Sequence, residues 1–388
     1  MKINRLTLMS LFGTLLMFGA SSCSDSDEPT PVPGDGRDEV YSAIVDQYLD
    51  NTVGITYTNL AAKTELLVEK LKSLRDSKTD ANVKAACDVF LDARAWWERS
   101  EAFLFGPASD FGIDPHIDSW PLDRDGLVAE MNNAAHIESM AADDGDEWAG
   151  AHLGPELLGF HGIEYILFAG GQPKAASDIP DNQLIYAIAV AGDLRNKCFQ
   201  LEVSWLGDSA PKSHVERVEE LELNCTVLGG DDSYGENMRR AGQAGSTYRS
   251  MTDAMQAIVD GCASIVDEVG TQKIGKPHTG EDPNYIESPY SHKSITDFHD
   301  NMISVKNAYM GGIEERRDES KSIHNYIKGI DPDLDARCVA AIEGALTAIS
   351  RMKAPFVDNY RDPSAQTAMD ACSELNEVLV EVKAALAK

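Results

Sequence analysis

Helical periodicity runs through nearly the whole of this 388-residue chain and leaves little room for any fold but an all-α one. Apolar side chains recur three, four or seven residues apart, as in Val40, Ile44 and Tyr48 and again in Leu60, Leu67, Leu71 and Leu74. That spacing places them on one face of a 3.6-residue helix, and no run of strand alternation competes with it. It predicts a second helix with Asp80 as N-cap, ending at Gly106-Pro107, and after a Gly/Pro/Asp-rich loop a helix over about 127–140. A short helix opened by Pro155 and closed by Gly170-Gly171 follows, then another over about 181–205. The pattern weakens between Gly207 and Gly245, where Gly229-Gly230-Asp231-Asp232 is a loop, and resumes near Thr247. After a pause at 275–289 it returns over 294–317, 333–353 and 363–388. About four helices therefore lie on each side of the weak middle, the number a pair of four-helix bundles requires. The expected division is one bundle over 38–210 and a second over 245–388.

The amino-terminal residues read as an export signal. Lys2 and Arg5 precede a mostly apolar stretch from Leu6 to Gly19, and the small residues Ala20, Ser21 and Ser22 lead to Cys23. The apolar run is shorter than the ~20 residues a membrane-spanning helix needs, so residues 1–22 read as a cleaved signal peptide. Cys23 in this setting resembles a lipobox cysteine that is acylated, with Ser22 where glycine or alanine is more usual. Residues 23–37, with Pro29, Pro31 and Pro33, read as a flexible tether. The acidic run Asp25, Asp27 and Glu28 resembles the surface-export signals of some outer-membrane lipoproteins, which leaves a periplasmic and a surface-exposed location both open.

The most apolar later segment, Leu153 to Gly171, is interrupted by Glu156, His161 and Glu164, so contact with the membrane is expected through the lipid anchor alone. Removing the 22 residues before Cys23 leaves a mature part of 366, more than one core usually organises. With 64 acidic against 34 basic residues in the full chain, the surface is expected to repel nucleic acid and anionic lipid and to concentrate cations. Six cysteines remain after Cys23, with no CxxC pair among them; export permits a disulfide whose connectivity the sequence leaves open.

Three segments carry polar side chains that invite a chemical reading. In Gly159-Phe-His-Gly-Ile-Glu164 the helix is apolar nearly all round, so His161 and Glu164, spaced i, i+3, project from one buried face, where an imidazole and a carboxylate can ligate one metal ion. Gly159 and Gly162 each cost about 1 kcal/mol against alanine inside a helix, so the close approach of another helix or a ligand is expected beside them. The bland alternative is a satisfied core pair. In the second segment Arg94, Trp97 and Glu101 fall on one face, lining up a cation, an aromatic ring and a carboxylate; the alternative is a core tryptophan flanked by a solvated ion pair. The third, Glu287-Ser-Pro-Tyr-Ser-His-Lys-Ser-Ile-Thr-Asp297, runs into a helix carrying Asn301, and its end reads equally as a helix cap with an acidic third position.

Taken together, the three segments resemble the imelysin-like family: the first matches its G-x-H-x-x-E motif, Arg94 to Pro107 its Arg, Trp and Glu-Ala-Phe region, and Glu287 to Asp297 its Glu-Ser-x-aromatic-Ser segment with a following Asp. The resemblance spans nearly the whole mature chain. It implies two related four-helix bundles with a functional site at their junction, gathering His161, Glu164 and Glu101 as metal ligands and Arg94, Trp97, Ser288, Ser291 and Asp297 around the ligand. It also implies a role in bacterial iron uptake with partners among envelope iron-transport proteins, and an older classification as metallopeptidases related to an insulin-cleaving envelope protease.

As a peptidase the chain lacks both zinc patterns, H-E-x-x-H and H-x-x-E-H, because Gly162 follows His161 and Tyr165 follows Glu164; a third ligand would have to come from His116, His292 or His299. As a binder it needs less. Histidine, carboxylates and hydroxyls suit a transition metal, with iron favoured and zinc or manganese compatible, while Arg94 suits the carboxylate of a metal chelate. A structural or adhesive envelope protein is the remaining reading.

Overall fold

The computed structural model describes residues 36–388, so the signal segment, Cys23 and nearly all of the tether lie outside the described residues. Helix α1 (Arg37–Tyr48) passes through one wide π-helical turn, Leu49–Val53, into α2 (Gly54–Asp76), and α3 (Asp80–Glu98) follows. The other long elements are α4 (Gly159–Leu167), α5 (Asp181–Leu206), α6 (Met251–Glu268), α7 (Ser294–Met310), α8 (Pro332–Ser350) and α9 (Pro363–Leu386). Among the described residues the one sheet is a hairpin, Phe168–Ala169 antiparallel to Gln172–Pro173, turned by Gly170 and Gly171 at positive φ. The chain is therefore all-α, and no described helix is long and apolar enough to cross a membrane.

Local chemistry sets the helix ends. Thr79, not Asp80, caps α3, its hydroxyl accepting from the Asn82 amide at 3.2 Å, while Asp80 accepts from the Ala176 amide at 2.8 Å. The helix stops at Glu98, short of the expected Gly106-Pro107, because the chain there tightens into a 3-10 turn over Glu101–Phe103 that carries Glu101 inward. Pro107 opens a short helix instead of ending a long one. Over 124–140 the structure has two short helices, Arg124–Met131 and Ala134–Met140, where one was expected.

Two sets of helices share the core. In one, α2 packs on α3 and α5, and α4 lies against α3 and α5; in the other, α6, α7, α8 and α9 pack on one another. The sets are joined, since α7 lies against α3, and α1 packs on α6 with the Tyr41 hydroxyl donating to the Leu386 carbonyl at 2.8 Å. Residues 37–388 accordingly form one compact unit, with the first helix tied to the last. All six cysteines after Cys23 are free thiols, five of them buried. They serve as small apolar core residues rather than as a disulfide framework.

The glycines of α4 are explained by packing. Gly159 opens the helix at φ +63°, and a Cβ there would lie 1.9 Å from the Ile117 carbonyl oxygen. A Cβ on Gly162 would meet the Leu157 carbonyl oxygen at 3.0 Å. Both absences therefore admit neighbouring backbone, and neither leaves room for a ligand. Gly159→Ala, which combines the left-handed conformation with a backbone clash, is expected to destabilise the fold by more than about 2 kcal/mol. The midpoint of urea unfolding measures this, and Gly162→Ala should shift it less.

Candidate metal centre

The buried face of α3 presents Arg94, Trp97 and Glu98, the turn after it presents Glu101, and the segment closing the short helix Ile113–Ile117 adds Asp118. Helix α4 contributes His161 and Glu164. From the second set of helices come Lys273, at the end of the π-turn Val269–Lys273 beyond α6, and Glu287, Ser288, Ser291 and Asp297. All are buried. The three segments distant in sequence thus meet in one cluster.

Arg94 lies at its middle. Its guanidinium touches Asp118, approaches Glu98 Oε1 and Glu287 Oε1 at 2.5 Å, and lies 4.0 Å from Asp297 Oδ2, with the Phe160 ring 5.1 Å from its centre. Burial disfavours the charged guanidinium, yet these carboxylates outweigh it and raise its pKa well above the ordinary value. Arg94 is thus engaged by carboxylates of its own chain. Trp97 Nε1 donates to Asp118 Oδ2 at 2.7 Å, and the Ser288 hydroxyl donates to Asp297.

His161 lies between two acids, Nε2 at 3.0 Å from Asp118 Oδ1 but out of hydrogen-bond alignment, and Nδ1 at 3.7 Å from Glu164 Oε2. Glu164 Oε1 accepts from the Tyr290 amide (3.1 Å) and from the amide and hydroxyl of Ser291 (both 2.7 Å). Positive φ at Ser288 and His292 folds this loop around the carboxylate. Ser294 does not cap α7; its hydroxyl donates to the Glu287 carbonyl at 2.5 Å and closes the loop on itself.

The charges do not balance. Six carboxylates, Glu98, Glu101, Asp118, Glu164, Glu287 and Asp297, surround two permanent cations and one imidazole. Buried charge without a partner costs several kcal/mol, so the surplus must be met by protons or by a bound cation. Burial raises the carboxyls of Glu101 and Asp297 well above their usual range and pushes Glu287, and neighbouring Asp114, up to about 7. Asp118 moves the other way: burial would raise it, but Arg94 and His161 hold it far below. For His161 burial favours the neutral ring, and its contacts with Asp118 and Glu164 reverse the sign, pushing it up to about 9.

Two groups of side chains lie close enough to share an ion, Asp118 with His161 and Glu287, and Glu98 with Glu101 and Asp118. His161 Nε2, Glu164 Oε2 and Glu287 Oε2 are buried without a hydrogen-bond partner, and the imidazole and carboxylate donors suit a transition metal. Of the histidines considered as further ligands, His116 pairs with Asp193 at 2.7 Å, His292 packs against Gly171, and His299 lies near Arg99 and Lys306. None of them belongs to either group.

Sequence reasoning found Glu101 but missed Glu98, which the i, i+4 step from Arg94 would have given once the helix end was known. Glu287 opens the third segment, where the sequence gives it no role. For Asp118 and Lys273, in a loop and a π-turn, periodicity offered no signal.

An all-helical protein with a buried, acid-rich centre around one histidine is the class these features define. The Imelysin family profile matches residues 55–382, and the chain belongs to that family. It is 27% identical over 339 residues to iron-regulated protein A of Synechococcus elongatus, covering 85% of this chain and 83% of that one. A crystal structure of an iron-regulated protein A precursor from Parabacteroides distasonis superposes with a TM-score of 0.74 at 29% identity, covering 89% of this chain and 95% of that one. An imelysin-like protein from Psychrobacter arcticum shares the fold, with a TM-score of 0.59 at 13% identity over 88% of this chain and 93% of its own.

The raised groups fix how stability of the metal-free protein follows pH. Glu287 and Asp114 hold protons in the fold that the unfolded chain releases above pH ~4, so their contribution falls as pH rises to about 7. That of His161 is full below pH ~6.5 and is lost as pH rises through about 9. Calorimetry should therefore give a higher Tm at pH 6 than at pH 9, and His161→Ala should reduce the slope above pH 7.

Proposed function

We propose that this chain is an envelope lipoprotein that binds a transition metal, iron in preference to zinc, at the buried centre as part of iron acquisition. Asp118, His161 and Glu287 are the ligands the geometry favours. Glu164 lies beside His161, its loop-bound oxygen fixing the carboxylate and its free oxygen facing the ring. Glu101, expected among the ligands, belongs with the second carboxylate group. The observation that carries the reading is the set of buried, unpartnered donor atoms on His161, Glu164 and Glu287 within a cluster that has more negative charge than its own cations neutralise. Relatives whose names tie them to iron regulation support iron as the metal. Burial of every ligand favours a bare ion over a bulky chelate, and Arg94, already surrounded by carboxylates, acts as their counter-cation rather than as the anchor for a chelator's carboxylate.

Binding at His161 requires the ring to give up its proton, so affinity should rise with pH from about 5 to about 9, and each binding event should release one proton from His161 and, below pH about 7, a second from Glu287. Titration calorimetry with ferrous, ferric and zinc ions should show His161→Ala and Glu287→Gln each weakening binding by about tenfold or more. Unchanged affinity in both variants for all three ions would leave the cluster a structural ion network.

The envelope location is proposed from the export signal and Cys23, whose acylation would be the route to the bilayer. Cys23→Ala is expected to move the protein from the membrane fraction to a soluble exported one; retention on membranes after a salt wash would contradict the lipid anchor.

A further inference from the structure

Lys273 has no part in the ligand set, yet it is fully buried and stands inside the second carboxylate group. Its ammonium lies 3.3 Å from Glu287 Oε1, 3.4 Å from Glu101 Oε1 and 3.7 Å from Glu98 Oε2. The Trp120 ring centre is 5.2 Å away on another side. Charge-assisted contacts of this kind usually close to 2.7–2.9 Å, on the order of half an ångström shorter, so the cation is shared among three carboxylates rather than tightly bonded to any one.

Two further observations show what position this is. Glu98 and Glu101, two of the three carboxylates around the ammonium, form with Asp118 the second group able to hold an ion, and Asp118 belongs to the first group as well. A carboxylate common to two adjacent ion positions is the arrangement of a two-metal centre. In addition, Glu287, whose Oε1 faces the ammonium, keeps its Oε2 buried without a hydrogen-bond partner, so the ammonium leaves unused the lone-pair capacity that an ion with more ligand positions would take up.

We propose that Lys273 is a resident cation standing in for a second metal ion, and that it restricts the centre to a single ion at Asp118, His161 and Glu287. The inference rests on the metal-binding reading above. One covalently held positive charge lies against Glu101 and Glu98, the latter also held by the Asn301 amide donating to its Oε2 at 2.6 Å, and that charge repels a divalent ion from the adjacent position. Removing the charge while keeping the length of the side chain opens that position.

The test is metal stoichiometry in Lys273→Met and Lys273→Arg, each incubated with ferrous ion under anaerobic conditions or with zinc ion, dialysed, and assayed by plasma mass spectrometry and calorimetry. The native protein and Lys273→Arg are expected to hold one ion and Lys273→Met two. One ion in both the native protein and Lys273→Met, or two in Lys273→Arg, overturns the role of Lys273 and leaves the metal reading standing. No ion in the native protein with one in Lys273→Met removes the His161 centre and supports the stand-in. No ion in either defeats both. Circular dichroism decides the case of a poorly folded variant. Lys273→Met should melt below the native protein without metal and gain more from added metal than the native protein does. A variant that stays unfolded with metal present shows that a divalent ion cannot replace the ammonium, which also overturns the proposal.

Discussion

A guanidinium buried to 2% exposure among four carboxylates holds the centre of this molecule together. Glu98 comes from the same helix as Arg94, Asp118 from the loop region beyond it, and Glu287 and Asp297 from far along the chain, beyond α6. Each of these acids is too deep to be solvated, so each depends on Arg94 for part of its stabilisation, and Arg94 depends on all of them. Breaking such a network from one side leaves several unpaired charges, which is far worse than losing one surface pair. The contact between α3 and the segment leading into α7 is therefore electrostatically obligatory, and the two sets of helices cannot part without exposing it.

The same arithmetic makes the centre a place for a cation. Arg94 and Lys273 together neutralise two of six carboxylates, and the remainder either take up protons or attract a metal. These alternatives compete, because protons on Glu287 and His161 occupy the atoms that an ion needs. The chain's net charge of −30 raises the local concentration of cations around the molecule and so favours loading. The loop from Glu287 to Ser294 closes one side of the cluster, fastened by three hydrogen bonds to a single oxygen of Glu164. Glu164 thus joins the two halves of the chain whether or not its second oxygen meets an ion.

The helical class and the long elements were legible because burial imposes a 3.6-residue period on every amphipathic helix. Helices α5 and α9 begin and end close to where caps, glycines and prolines place them. The end of α3 was not legible. Nothing in Arg99 to Phe105 breaks a helix by propensity; the chain tightens where the buried Ser100 hydroxyl donates back to the Trp97 carbonyl at 2.6 Å and Glu101 turns inward to Lys273. The site was half legible for the same reason. His161, Glu164 and Arg94 announce themselves as polar side chains on apolar helical faces, whereas Asp118 and Lys273 lie in a loop and a π-turn, where no period marks which side chains point inward. Tertiary contact alone assigns them.

The glycine that opens the motif shows how closely packing and chemistry are coupled here. Gly159 was expected to make space, and the space it makes is filled by the carbonyl of Ile117. The next residue along that neighbouring segment is Asp118, and two residues along α4 is His161, whose Nε2 lies 3.0 Å from Asp118 Oδ1. The missing side chain therefore sets the distance between an acid and an imidazole that come from separate elements. Any Cβ at 159 would push the 113–118 segment outward, and Asp118 would move away from His161, from Arg94 and from the Trp97 indole at once. In this chain the glycine, histidine and glutamate of the motif act as one device: the first brings the Asp118 segment close, the second faces its carboxylate, and the third fastens the loop that carries Glu287.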